Sequence, residues 1–398
     1  VRDATLRLAE RHRDGSDVSG TWQLELPGVA SFTISVAGDR CAVSPGRATD
    51  ADVVLTTDAS TWLDVVDGHT SGIAAFLRGD LRVDGDLHRA VRLETLFTPA
   101  GPHQRLLRAE RTRLGRVEVA SLVAGSGTPV VLLHGLAANT LSFLPTLDAL
   151  SAHHEVHALD LPGSGWSDKP LPTGRRYSAG WFAEHVRRYV LARRLGPVHV
   201  IGNSMGGRVA VELGLRDPAL VRSVTGFGAA VAFDEYQPLR PLLRLFQSQW
   251  SGLAPLPLGE GLLERAVEQM FFDPGSVPPQ NIRAAAADTA VMLRDRRWRL
   301  ATMAAARHLG AEPATGRRSY WDRLATLSVP ALFLHGRQDR LVPAHYAERV
   351  RAAVPHAQVE VWDALGHVPQ FERPDEAHAL VRRFLIRLDA PATVVPIR

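Results

Sequence analysis

Short apolar runs alternate with amphipathic segments along the C-terminal two-thirds of the chain. Val117–Val123, Pro129–Leu133 (PVVLL), Val156–Leu161 (VHALDL), Val198–Ile201 (VHVI), Val221–Gly228, Pro330–Leu334 (PALFL) and Gln358–Trp362 (QVEVW) read as strands. Segments of helical period stand among them at Ala179–Arg194, Arg208–Leu215 and Glu376–Leu388. Strands separated by helical segments predict a parallel sheet covered by helices on both faces, an α/β domain over 116–398. The pattern breaks at 232–325, which is helical and carries Phe246, Trp250, Phe271, Phe272, Trp298 and Trp321. Most of these aromatics read as ordinary core, and a few as the lining of an apolar pocket.

Residues 1–97 follow a different pattern. Thr21–Leu26, Ser31–Val36, Asp52–Thr57 and Leu81–Val83 have the alternation or β-branching of strands, with turns at Pro27-Gly28 and Gly38-Asp39. Helices are expected at Leu6–His12, after an Asp58–Ser60 cap and over Asp86–Phe97, with a further segment at Ala74–Gly79. This is a small α+β module. Pro99, Gly101 and Pro102 then mark a junction, read as a linker over 98–115.

Composition narrows the class. The 398 residues are 45% hydrophobic and 22% charged, as in an ordinary globular protein. The net charge is only +4, carried almost wholly by arginines scattered among acids, since Lys169 is the one lysine. That argues against a nucleic-acid surface. One cysteine, Cys41, excludes an internal disulfide framework. There is no charged-then-apolar leader and no apolar run of 18 residues, so a cytoplasmic protein without a membrane span is expected. His153, His154 and His157 lack acidic co-ligands at metal-binding spacing, so no metal and no cofactor is expected.

The chemistry gathers at strand ends. Gly202-Asn203-Ser204-Met205-Gly206 fits G-x-S-x-G between a predicted strand and a predicted helix. Such a turn holds the serine hydroxyl out at the sheet's carboxyl edge, facing the amides of the new helix. Asp339 follows PALFL in HGRQD, and His367 follows QVEVW in GHVP. Serine attacks only when an adjacent imidazole removes its proton, and a carboxylate fixes that imidazole's tautomer. Asp363 is a rival for the carboxylate, but it lies only four positions before His367. His134 and His335 precede glycines in strand-end loops and read as structural; Asp160 reads as a tie for its own glycine-rich loop, PGSGWS.

With "HGLAAN", "DLPGSGWSDKP", "GNSMGG", "HGRQDRLVP" and "GHVPQFERP", the chain resembles the α/β-hydrolase superfamily over about Arg116–Leu388. The resemblance implies Ser204 as nucleophile, His367 as base and Asp339 as acid, with the backbone amides of Leu136 and Met205 as oxyanion donors. Each such donor is worth roughly 2.7–4 kcal/mol in the transition state. A serine at the elbow excludes the relatives that need an aspartate there and leaves acyl chemistry. The expected function is hydrolysis of a lipophilic carboxylic ester through an acyl-enzyme. The alternatives are C–C bond hydrolysis of the meta-cleavage type, thioester hydrolysis or acyl transfer, and a non-enzymatic lipid carrier. The C–C hydrolases usually carry a tryptophan after the base, where this chain has Val368.

The segments "ADVVLTTDASTWLDVVDG" and "AAFLRGDLRVDGDLHRAVRLETLF" resemble the sterol-carrier-protein-2 (SCP2) family. That resemblance implies an apolar tunnel for a sterol or fatty acid in residues 1–97. The first helix is shorter than the family's, and a supporting or docking role is the competing expectation. The fold expected for the whole chain is therefore an α/β-hydrolase fold with a helical cap, preceded by a small α+β SCP2-like domain.

Overall fold

The computed structural model describes residues 1–13, 18–101, 106–229, 259–311 and 319–390. The strands among these form two sheets. The first holds β1 (Gly20–Leu26), β2 (Ala30–Ala37), β3 (Arg40–Pro45), β4 (Val53–Thr57) and β5 (Leu81–Gly85), in the order β3-β2-β1-β4-β5. β1 and β4 run parallel and the other pairs antiparallel. Burial alternates along β2 and β4, as a sheet with one covered face requires. That face is covered by α2 (Ala59–Val66), α3 (Gly72–Arg78) and α4 (Leu87–Thr95). Each begins at a side-chain cap: Asp58, Ser71 and Asp86 accept bonds from the first-turn amides. The helix expected at Leu6–His12 is instead α1 (Arg2–Leu6) followed by a 3-10 turn over Arg7–Arg11.

The second sheet has eight strands: β6 (Arg108–Leu114), β7 (Val117–Ala124), β8 (Thr128–Leu133), β9 (His154–Leu159), β10 (Val198–Asn203), β11 (Val221–Phe227), β12 (Ala331–Gly336) and β13 (Gln358–Trp362). Their order is β13-β12-β11-β10-β8-β9-β7-β6. The run from β13 to β9 is parallel, and β7 and β6 close the edge antiparallel. β10 and β12 are buried along their whole length, which is why they read as unbroken apolar runs. β6 lies inside the stretch read as a linker. Its sequence, RAERTRL, is charged because it is an edge strand, with Arg111 and Arg113 paired to Glu118 of the neighbouring β7.

Among the described residues the helices of this half are α5 (Leu144–Leu150), α6 (Ala179–Ala192), α7 (Met205–Arg216), α8 (Glu260–Glu268), α9 (Pro279–Arg294), α10 (Arg296–Gly310), α11 (Tyr320–Leu324), α12 (Tyr346–Ala353), α13 (Pro369–Glu372) and α14 (Pro374–Asp389). Of the stretch expected as a cap, α8 to α11 are helical; 230–258 and 312–318, with Phe246 and Trp250, lie outside the described residues. Phe271 packs with Leu263, Val267, Ile282 and Val368, whereas Trp321 stacks on Tyr346 of α12 in the domain core.

The two halves share one apolar core. A continuous cluster runs from Trp22, Phe76 and Leu93 to Leu132, Phe143, Leu147 and Leu334. α9 is bonded to the first half through Gln280 Nε2 to the Gly79 carbonyl (2.6 Å) and Asn281 Nδ2 to the Leu77 carbonyl (3.1 Å). An apolar cavity opens inside the first half, between β4, β5 and α2 to α4, with Leu55, Trp62, Ile73, Phe76, Val91 and Phe97 in its wall.

Candidate active site

Ser204 stands alone between the end of β10 and the start of α7. Its backbone has φ 52° and ψ −118°, a conformation that costs a non-glycine residue about 1–3 kcal/mol. Several contacts hold it there. The Ser204 amide donates to the Phe227 carbonyl at 2.9 Å, and Asn203 Nδ2 donates to the carbonyls of Phe227 and His367, both at 3.0 Å. The flanking glycines are required by space. A Cβ on Gly206 would lie 1.9 Å from the Leu133 carbonyl oxygen, and one on Gly202 would lie 2.2 Å from Gly206.

Asp339 and His367 meet beside this turn. Both are buried, and His367 Nδ1 lies 2.7 Å from Asp339 Oδ2. The other carboxylate oxygen accepts the amides of Leu341 and Val342, each at 2.8 Å. A carboxylate can only accept, so Nδ1 carries the proton and the lone pair of the neutral ring sits on Nε2. The loop is fixed from the other side by the His367 amide, which donates to the Met270 carbonyl at 2.7 Å. Gly228, at φ +47°, passes directly behind the pair. Through the Asn203–His367 bond and the Ser204–Phe227 bond, the three residues named from the sequence are brought to one corner of the sheet. The rival Asp363 is on the surface, paired with Arg337.

The two amides expected as oxyanion donors, those of Met205 and Leu136, lie on segments that border Ser204. Met205 is the first residue of α7, so its amide has no acceptor within the helix. The Gly135 carbonyl receives His134 Nδ1 at 2.7 Å and the Ala138 amide at 3.3 Å. The Leu136 N–H shares that peptide plane and points the opposite way. A Cβ on Gly135 would lie 3.4 Å from Ser204 Cβ, so this peptide borders the serine. His134 Nε2 accepts the Leu161 amide at 3.0 Å, and burial lowers the ring's pKa, so His134 is a neutral brace of the loop. Asp160 ties two loops at once, accepting the amides of Trp166 and Thr140, each at 2.8 Å. Burial pushes His335 down to about 4, so it too is neutral, behind Asp339.

His153, His154 and His157 do not converge. His154 and His199 face Asp389, and His157 Nδ1 lies 2.9 Å from the Tyr189 hydroxyl. Among the described residues no group of three or more His, Cys, Asp or Glu could hold a metal ion, and no helix is long and apolar enough to cross a membrane.

Two contributors escaped the sequence. Glu372 accepts the amides of Gly366 and Phe272, both at 2.5 Å, and so clamps the His367 loop to the segment after α8. Burial raises its pKa, and the bonds from the Gly366, Phe272 and Asp273 amides pull it back down. Asn139, at the end of the Gly135 loop, donates to Asp288 Oδ2 of α9 at 2.7 Å. Glu372 was visible only as the glutamate five places after His367; Asn139 and Asp288 are separated by half the domain.

Comparison with known families bears on this geometry. A model of the alpha/beta hydrolase fold matches residues 128–374. The chain belongs to the alpha/beta hydrolase family. At its N-terminus this hydrolase carries a domain of the SCP-2 sterol transfer family, matched over residues 6–98. Pimeloyl-[acyl-carrier protein] methyl ester esterase of Aeromonas salmonicida (strain A449) is 29% identical over 269 residues, covering 66% of this chain and 96% of its own. A 2-hydroxy-6-oxononadienedioate/2-hydroxy-6-oxononatrienedioate hydrolase of Dechloromonas aromatica (strain RCB) is also 29% identical, over 66% of this chain and 88% of its own. Among solved structures, the 2-hydroxy-6-oxo-6-phenylhexa-2,4-dienoate hydrolase of Rhodococcus sp. strain RHA1 superposes with a TM-score of 0.59 at 23% identity, over 71% of this chain and all of its own. That last likeness bears on the fold alone.

Proposed function

We propose that this hydrolase cleaves a lipophilic carboxylic ester through an acyl-enzyme on Ser204. His367 takes the serine proton on Nε2 while Asp339 holds Nδ1–H and balances the imidazolium that forms. The amides of Met205 and Leu136 receive the oxyanion of the tetrahedral intermediate. His367 then returns the proton to the leaving alcohol, and water repeats the sequence to release the acid. The observation that carries this reading is the 2.7 Å bond between His367 and Asp339 beside a serine held at positive φ. The apolar cluster of α8 and α9 against Val368 supports a lipophilic acyl group next to the base. The N-terminal domain, with its apolar cavity, takes a lipid.

The test is a panel of p-nitrophenyl esters of increasing acyl length, run beside a meta-cleavage dienone. Each methylene buried contributes about 0.8 kcal/mol, so kcat/KM rises up to about fourfold per carbon until the pocket is full. The match to the dienedioate hydrolase makes C–C bond hydrolysis the second reading. Dienone turnover a hundredfold above the best ester would reassign the enzyme to it. Failure of Ser204 to react with a fluorophosphonate would remove the acyl-enzyme altogether.

A further inference from the structure

α4 has two faces that serve different halves of the molecule. Leu87, Ala90, Val91 and Glu94 recur at helical spacing and face the N-terminal cavity. His88 and Arg92, one turn apart, lie on the other side against the hydrolase. The Arg92 guanidinium sits 4.1 Å over the Trp166 ring, and the Trp166 amide is held by Asp160, which also holds Thr140. His88 Nε2 lies 4.0 Å from Asp288 Oδ1, and the other oxygen of Asp288 receives Asn139 Nδ2. Asn139 and Thr140 end the loop that begins at Gly135. One rigid helix thus has a lipid cavity on one side and the supports of the Leu136 peptide on the other.

The cavity's polar groups restrict what enters. Arg11 directs Nε and Nη2 to the Thr98 carbonyl and Nη1 to the Val66 carbonyl, which leaves the guanidinium committed to backbone. Glu94 accepts the Ile73 amide at 3.1 Å and turns its carboxyl toward the start of α3. Among the described residues of the wall Arg11 is the one cation, so a carboxylate head would face Glu94 with no second positive charge there. A hydroxyl or ester head can hydrogen-bond there.

We propose that the N-terminal cavity is an effector site for a neutral amphiphile, such as a sterol or long-chain alcohol, whose binding resets the Gly135–Asn139 loop through α4. The coupling runs from α4 by two routes, Arg92–Trp166–Asp160 and His88–Asp288–Asn139. This rests on the reading of Leu136 as an oxyanion donor. A filled cavity therefore alters kcat for a short ester that never enters it.

The experiment uses the full chain, cholesterol delivered from cyclodextrin, a fluorescent sterol to read binding, and p-nitrophenyl acetate at saturation. Four proteins are compared: the parent, Ala90→Trp to block the cavity, and Arg92→Leu and Asp288→Ala to cut the two routes. Cholesterol is expected to change the parent's kcat at least threefold, to do nothing to Ala90→Trp, and to bind both coupling variants while changing their kcat less than twofold. Hydrogen exchange of the 135–142 amides, with and without cholesterol, reads the same coupling without turnover. If the parent hydrolyses no ester, the ester reading fails, and the exchange data alone decide the coupling. Sterol binding that leaves both kcat and exchange unchanged in the parent overturns the proposal. So does absence of binding, or an equal kcat change in Ala90→Trp, which would place the lipid at Ser204. If Asp288→Ala does not fold, Arg92→Leu carries the test.

Discussion

Gly228→Ala probes the hydrogen bond behind the base while leaving all three residues assigned to the reaction in place. A Cβ at this position would lie 2.9 Å from His367 Nδ1 and 3.0 Å from Asp339 Oδ2. Ordinary contact begins near 3.4 Å, so the pair must yield by about 0.5 Å. A displacement of about 1 Å in a catalytic group can cost on the order of 10²-fold. Half of that sets a floor near tenfold, and rupture of the Asp339 bond would approach about 10⁴-fold. The expected loss in kcat is about 10- to 100-fold. The φ of +47° adds about 1–2 kcal/mol of backbone cost to any L-residue here, so stability falls as well. Gly115→Ala is the control. It has φ +70° in the β6–β7 turn, and a Cβ there meets nothing within 4 Å. Gly115→Ala loses the backbone term alone in urea titrations, Gly228→Ala loses at least as much, and only Gly228→Ala loses turnover of p-nitrophenyl acetate. Parent-like kcat in Gly228→Ala, or an equal loss in Gly115→Ala, would refute the argument from contact.

Ser204→Ala is expected to lower kcat about 10⁴- to 10⁶-fold and Asp339→Asn about 10⁴-fold, with far-ultraviolet dichroism unchanged; residual turnover within tenfold of the parent removes Ser204 from the mechanism. Glu372→Gln replaces one of two acceptors by a donor, so the urea midpoint falls by the equivalent of about 1.5–3 kcal/mol and acylation slows in single-turnover kinetics; parent values for both would leave the clamp without a role. Burial pushes Glu94 up to about 7, so the folded chain holds a proton that the unfolded chain releases above about 4.5. That term lowers stability as pH rises from about 4.5 to about 7, by about 3 kcal/mol, and Glu94→Gln should flatten that part of the stability curve. Burial pushes His378 down to about 4, which has the opposite sign: the unfolded chain takes up a proton below pH 6.5 that the folded one refuses, so stability falls toward acid, and His378→Gln should reduce that fall.

The fold was legible where one physical rule dominates. β10 and β12 are covered on both faces, and their apolar runs announce it. The two α/β-type signals that matter most, a serine between glycines after such a run and a histidine after the last one, are local. They survive in a single sequence because geometry forbids other residues at Gly202 and Gly206. β3 and β6 were not read as strands for a shared reason. Both are edges, and an edge strand can be charged or carry a terminal proline such as Pro45 without losing its pairing. The supports of the candidate site were the least legible. The bonds from Asn139 to Asp288 and from Arg92 to Trp166 join residues whose spacing has no period, and nothing in either local sequence marks a polar side chain that ends up buried.

The shared core has a consequence for how such a chain can change over generations. Leu144 and Leu147 pack into the same cluster as Ile73 and Phe76, and Asn139, Asp288 and His88 are buried where the two halves meet. A hydrolase severed at the junction would present that apolar face to water and leave Asp288 without the imidazole beside it. A replacement companion with a different residue at position 88 would leave Asp288 with the Asn139 amide but no imidazole beside it. A substitution on one side of the seam therefore changes what the other side must cover, although the polypeptide reads as two families laid end to end.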